Sequence, residues 1–290
     1  LDTSEIDGVT LCMRLAWITD PHLNFLPPMG SVKFGEWVRK TSEADAVVIT
    51  GDIAEYPSLM SLLSFFTAGC QRPVYFVLGN HDLYRGSFES VKQAAYILHE
   101  SVPNLHWLDV AGVVELTPDT ALVGNGGWYD ARSGDPFGSN VTLSDFVVIE
   151  DFKGKGRVEI IEKCREIASQ MVKEAKPVLH AAAARYKHVI FATHVPPFRE
   201  STFHEGKISD KNWLPWFSNL SFGQMLSEAA DLFPSTDFKV LCGHTHSPGE
   251  YQHSANLSVT TGKSQYYNPS ITKVLDLRPT LTQIESTPPL

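Results

Sequence analysis

Five short apolar runs in this chain each end on side chains suited to binding metal ions, and that recurrence restricts the available folds more than any other feature. Leu11 to Thr19 leads to Asp20-Pro21-His22, Ala46 to Thr50 to Gly51-Asp52, and Val74 to Leu78 to Gly79-Asn80-His81-Asp82. His188 to Thr193 leads to His194, and Phe238 to Cys242 to Gly243-His244-Thr245-His246. Near-continuous apolar runs are expected of strands buried on both faces. Helical patterns lie between them: about ten residues ending near Lys40, then Ser58 to Ala68, Ser87 to Glu100 and Ser221 to Phe233. Strand, polar tip and helix in repetition predict a largely parallel α/β sheet that collects ligands at the carboxyl ends of its strands. With 290 residues, 43% of them hydrophobic, the chain can bury a substantial core, and residues 1–290 read as one domain.

The remaining segments are read more coarsely. Closely spaced strand candidates at Leu105 to Leu108, Val113 to Leu116 and Ala121 to Val123 suggest that a second, partly antiparallel sheet begins there. Gly124-Asn125-Gly126-Gly127 predicts a turn needing positive φ, and Trp128 or Tyr129 beyond it is a candidate wall of a substrate pocket. Residues 130–187 form a mainly helical insertion. Its stripe of Val158, Ile161, Cys164, Ile167, Ala168, Met171, Val172 and Ala175 predicts a helix with one core-facing side, broken or bent at Pro177. Phe198 to Leu220 reads as a long rim loop carrying His204. Leu257 to Thr261 and Ile271 to Leu277 read as closing antiparallel strands.

The formal charge of -9 argues against a nucleic-acid polymer or an anionic membrane as partner, because phosphate contacts need clustered Lys and Arg. No run reaches the ~18 apolar residues of a membrane span, and no basic, then apolar, leader is evident. Cys12, Cys70, Cys164 and Cys242 show no CxxC spacing, so reduced thiols in a cytoplasmic protein are expected.

Carboxylate, amide oxygen and neutral imidazole together suit Mn, Fe, Zn or Co, whereas an all-oxygen set would suit Mg or Ca. An Asp can bridge two such ions through its two oxygens, and water shared by them becomes a nucleophile near neutral pH. No Ser or Cys nucleophile is then required.

Asp20-x-His22, Gly51-Asp52, Gly79-Asn80-His81-Asp82, His194 and Gly243-His244-x-His246 resemble, in order and type, the five signature blocks of the calcineurin-like metallophosphoesterase superfamily, over roughly residues 11 to 247. The resemblance implies a four-layer α/β/β/α sandwich of two mixed sheets flanked by helices. It also implies two divalent or trivalent transition-metal ions. Asp20, His22, Asp52 and His246 would hold one and Asn80, His194 and His244 the other, with Asp52 bridging. His81 is similar to the family's non-ligand catalytic histidine, and Asp82 would orient it.

Asp82 stands where the Ser/Thr protein phosphatases have Glu, so the block looks more like the bacterial cyclic-nucleotide phosphodiesterase branch. Tyr56, four residues after Asp52, does not match the metal-binding Tyr of purple acid phosphatases, which follows the bridging Asp by three. The function implied is hydrolysis of small phosphate mono- or diesters, a nucleotide among the candidates. The competing reading is a catalytically silent scaffold for protein binding. Arg85, Arg132 and His204 are further candidates for substrate phosphate. Nothing in the sequence bears on oligomeric state.

Overall fold

The computed structural model describes residues 13–277. The first half alternates as predicted, in the order β1 (Met13–Ile18), α1 (Gly30–Ser42), β2 (Ala46–Thr50), α2 (Tyr56–Cys70), β3 (Val74–Val77), α3 (Phe88–Ser101) and β4 (Leu105–Trp107). A short helix α4 (Leu108–Ala111) leads into the hairpin β5 (Val114–Thr117) and β6 (Thr120–Gly124). After α5 (Asp145–Val148) and the long α6 (Arg157–Ala183) comes β7 (His188–Ala192). The rim segment contains β8 (Phe203–His204), β9 (Lys207–Ile208) and α7 (Leu214–Phe217). Then follow α8 (Leu220–Leu232), β10 (Asp237–Cys242), β11 (Gly249–Ser254), β12 (Leu257–Thr261) and β13 (Lys273–Leu277).

Two mixed sheets result. One has the order β13-β1-β2-β3-β4, the other β11-β12-β10-β7-β6-β5. Alternation along each strand divides the core. Leu15, Trp17, Ala46, Val48, Leu122, Ile190 and Leu241 point into the layer between the sheets, while Ala16, Ile18, Val47, Ile49, Val123, Phe191 and Val240 belong to the helix-covered faces. Each Val, Leu, Ile or Phe side chain so buried contributes ~1.5–3 kcal/mol. Both faces are therefore apolar, and the strands read as continuous runs.

Several expectations change. β4 pairs parallel with β3 and closes the first sheet; it completes one more βα repeat, which its three residues hid. The second sheet begins only at β5. β12 runs parallel to β10, because β11 makes the antiparallel return at the sheet edge; β13 is antiparallel to β1 as expected. The helix α6 continues through Pro177 to Ala183. Both Pro177 and Lys173, whose carbonyl loses its helical partner, lie on the solvent side, where water can replace that bond. Val158 is 55% exposed, and Ile160 takes its place in the buried stripe. α6 packs beside α8 on β6 and β7, so the helical part of residues 130–187 forms one of the outer layers. The rim segment after Phe198 is ordered by the β8–β9 hairpin and α7.

Candidate metal centre

The carboxyl ends of β1, β2 and β3 in one sheet and of β6, β7 and β10 in the other meet along a single rim. Backbone bonds tie the loops together: Asp20 N–H donates to Gly51 O at 3.2 Å, His22 N–H to Asp52 O at 3.0 Å, and Gly243 N–H to His194 O at 2.9 Å. Five rim residues other than glycine hold left-handed backbone, with φ of 47° at Asp20, 43° at His22, 50° at Asp52, 70° at His244 and 56° at His246. Such strain persists where the surroundings over-determine it, and it clusters at functional sites. Gly243 allows the closest approach, since a Cβ there would overlap the Thr19 hydroxyl and the Asp20 carboxylate.

Two clusters of donors emerge. Ligand atoms of Asp20, His22, Asp52 and His246 all lie within 4.8 Å of one another. In the second cluster, Asn80 Oδ1 lies 3.0 Å from His194 Nε2 and 2.9 Å from His244 Nδ1. These two nitrogens are 3.2 Å apart, and His194 Nε2 is 3.3 Å from Asp52 Oδ1. Asp52 belongs to both groups.

The tautomers follow from the outer partners. His194 Nδ1 lies 2.9 Å from Thr50 O and His244 Nε2 lies 2.9 Å from Trp216 O. A carbonyl only accepts, so each ring carries its proton on that outer nitrogen. Burial, the largest influence on both, lowers the His194 pKa and takes His244 down to about 3, so both rings are neutral. The inner nitrogens therefore present lone pairs to the Asn80 oxygen and to each other, with no donor among them. A cation satisfies all three. The donor set fits a transition metal.

The first cluster has the same character. Burial, reinforced by His81, takes His22 down to about 2, and its Nδ1 has no hydrogen-bond partner among the described residues. Burial pushes Asp20 upward, but the hydrogen bond from His246 and the surrounding imidazoles outweigh it and hold the carboxyl below its ordinary range. Asp52 is pushed well up by burial and by the neighbouring Asp20 and Asp82 carboxylates. Two acids crowded together in the interior are a second mark of a cation site.

A cavity of about 390 Å³ opens over the rim, lined by His81, Tyr84, Ser144, Asp145, His204, Trp213, Phe217, Thr245 and Tyr266 among others, with no Lys or Arg among the described residues of its wall. His81 faces it, stacked on Tyr84 with ring centroids 4.2 Å apart and with Nε2 3.9 Å from Asp52 Oδ2. His204 lines the cavity, between Trp213 and Phe217.

Five residues do not stand where their expected roles would put them. The Asp82 carboxylate accepts the backbone N–H groups of Ile53, Ala54 and Gly79 at 2.7, 2.9 and 2.7 Å. It braces the loops after β2 and β3, and its oxygens are engaged there instead of on His81. Trp128 and Tyr129 are 1% and 0% exposed, because the Gly126-Gly127 turn carries the chain beneath the rim. Trp128 packs against Phe88 and Phe152, and Tyr129 lies behind His244. Arg85 pairs with Glu55 at 3.3 Å outside the cavity, and Arg132 pairs with Asp130.

Sequence reasoning missed Asp145, Tyr84 and Tyr266. Tyr266, from the loop between β12 and β13, packs on His22 and His246 at centroid distances of 4.5 and 5.0 Å. No local pattern marks any of the three.

Two mixed sheets between helical layers, sharing one Asp, His and Asn rim, define a metallophosphoesterase architecture. The chain belongs to the calcineurin-like phosphoesterase family, which matches over residues 13–248. Among solved structures, it is similar to a phosphopantetheinyl hydrolase from Mycobacterium tuberculosis, with a TM-score of 0.67 and 15% identity over 97% of this chain and 100% of that one. It is also similar to a dimetal phosphatase from Danio rerio, with a TM-score of 0.54 and 15% identity over 89% of each chain. No curated protein matches the sequence. Among the described residues no helix is long and apolar enough to cross a membrane.

Proposed function

We propose that this chain hydrolyses small phosphate esters with two bound transition-metal ions. Asp20, His22, Asp52 and His246 would hold one ion, and Asp52, Asn80, His194 and His244 the other. The observation that carries this reading is the shared Asp52: Oδ2 faces His22 at 3.9 Å while Oδ1 faces His194 at 3.3 Å. When bound, such ions supply Lewis acidity to phosphoryl oxygens and lower the pKa of water. His81, its pKa taken down to about 3 chiefly by burial, is a neutral ring that donates a hydrogen bond to a phosphoryl or departing ester oxygen.

The cavity wall supports a substrate class. Tyr84, Tyr266, Trp213 and Phe217 offer flat apolar surfaces, and the absence of Lys and Arg among the described residues of the lining leaves a monoester's second charge poorly met. Both features favour a monoanionic diester with a planar organic group, a cyclic nucleotide among the candidates. Every ligand position is filled, which argues against a silent scaffold. Three buried free cysteines, Cys70, Cys164 and Cys242, support a reducing, cytoplasmic setting; Cys12 lies outside the described residues.

The test is turnover of bis-aryl phosphate, cyclic AMP and mono-aryl phosphate with added Mn. Diester turnover that Asp52→Asn lowers by on the order of 10³-fold is expected. Absence of turnover on all three by protein carrying two metal equivalents would refute the activity.

A further inference from the structure

The segment between β6 and α6 returns to the rim at α5, whose first residue is Asp145. This carboxylate is 1% exposed and accepts three hydrogen bonds. Asn80 Nδ2 donates to Oδ1 at 3.1 Å, the Tyr84 hydroxyl to the same oxygen at 2.7 Å, and the Tyr129 hydroxyl to Oδ2 at 2.8 Å. All three donors are neutral. Burying a carboxylate without a cationic partner is costly, so its retention calls for a role.

The geometry supplies one. An amide can present either end, and the bond from Nδ2 to Asp145 is what turns Asn80 Oδ1 toward His194 and His244. Released, the amide can rotate and offer its NH₂ to the two bare imidazole nitrogens. It would then satisfy them as a donor and exclude a cation. The tyrosines extend the same anchor. Tyr84 stacks under His81 with ring planes 24° apart, and Tyr129 lies parallel to His244 at 6.1 Å and 25°.

We propose that Asp145 is the positioning residue of the Asn80–His194–His244 half-site, holding the Asn80 amide oxygen toward the ion and bracing His81 and His244 through Tyr84 and Tyr129. This rests on the dinuclear reading above. Outer partners that orient ligands typically change metal affinity ~10–100-fold.

The test is calorimetric titration of chelator-stripped protein with Mn or Zn. In His22→Ala the strongest remaining equivalent is expected beside Asn80, and adding Asp145→Ala should weaken it ~10–100-fold. In Asn80→Ala the strongest remaining equivalent is expected beside Asp20, and the same addition should change its affinity less than ~2-fold. Asp145→Asn keeps the size of the side chain and one acceptor oxygen. It should lose less than Asp145→Ala, and it carries the test if the alanine variant does not fold. Wild type binding fewer than two equivalents would count against the dinuclear reading itself. Two equivalents in wild type, with Asp145 substitutions silent in the His22→Ala background, would overturn the Asp145 role alone.

Discussion

Replacing Asp52 by Asn should remove one metal ion and leave the other. Oδ1 accepts the His81 backbone N–H at 2.8 Å, so in the Asp52→Asn variant that position must stay an oxygen. The new NH₂ therefore falls where Oδ2 stood, facing His22 at 3.9 Å. A donor there cannot ligate, and the half-site of Asp20, His22 and His246 loses its fourth group. The half-site of Asn80, His194 and His244 keeps its oxygen. Metal content should fall from two equivalents to one, and turnover by on the order of 10³-fold, or ~4 kcal/mol of barrier.

Stability should move in opposite directions with and without metal. Asp52 is pushed well above the ordinary carboxylate pKa by burial and by Asp20 and Asp82. For an acid whose folded pKa is raised, stability is fully present below the unfolded pKa and is lost as pH rises toward the folded one. Metal-free Asp52→Asn should therefore melt higher than metal-free wild type at neutral and alkaline pH, and the gap should close toward pH 4. With metal at about 100 times Kd, each bound equivalent adds ~2.7 kcal/mol, at ~2–4 °C per kcal/mol. Wild type gains two such increments and the variant one, so metal should raise the wild-type Tm by ~5–10 °C more. Thermal melts with elemental analysis read both effects. A variant that keeps both equivalents, loses both, or melts lower than wild type without metal at pH 8 refutes the reasoning.

Three further substitutions separate the roles assigned around the cavity. His81→Ala should retain both metal equivalents and lose ~10²–10⁴-fold in kcat, read by elemental analysis and steady-state kinetics. Tyr266→Ala should raise KM for aryl diesters ~10-fold with a smaller change in kcat; an unchanged KM would remove Tyr266 from the substrate wall. Gly243→Ala forces a Cβ against Thr19 and Asp20, and should cost ~1–3 kcal/mol in denaturant unfolding and weaken the equivalent held by Asp20.

Much of the rim was legible because its signal is local. A buried strand announces itself as an apolar run, its end is the first polar residue, and parallel strands deliver those ends to one side of a sheet. Asp20, Asp52, Asn80, His194 and His244 all follow from that logic, and the donor atoms do converge. What escaped depends on tertiary direction. Asp145 reaches Asn80 from 65 positions away through a segment with no periodicity, so no spacing rule connects them. Trp128 and Tyr129 follow a rim strand as the candidate ligands do, yet the Gly126-Gly127 turn sends them inward. Asp82 is adjacent to His81 in the chain, but its carboxylate serves three backbone amides, two in the loop after β2 and one in its own, because capping those donors satisfies more buried groups than one imidazole would.

The left-handed backbone was equally invisible, and it explains how the rim is made ready for cations. Positive φ normally signals Gly, whereas here Asp20, His22, Asp52, His244 and His246 adopt it, at ~1–3 kcal/mol each. The residues that bear the strain also brace one another. His22 N–H donates to Asp52 O, His81 N–H to the Asp52 carboxylate, and His244 N–H to Asp20 Oδ1 at 3.0 Å. The same carboxylates thus fix the loops and face the proposed metal positions. A cation bound there would find lone pairs already aimed, so little of its binding energy would be spent on ordering the protein.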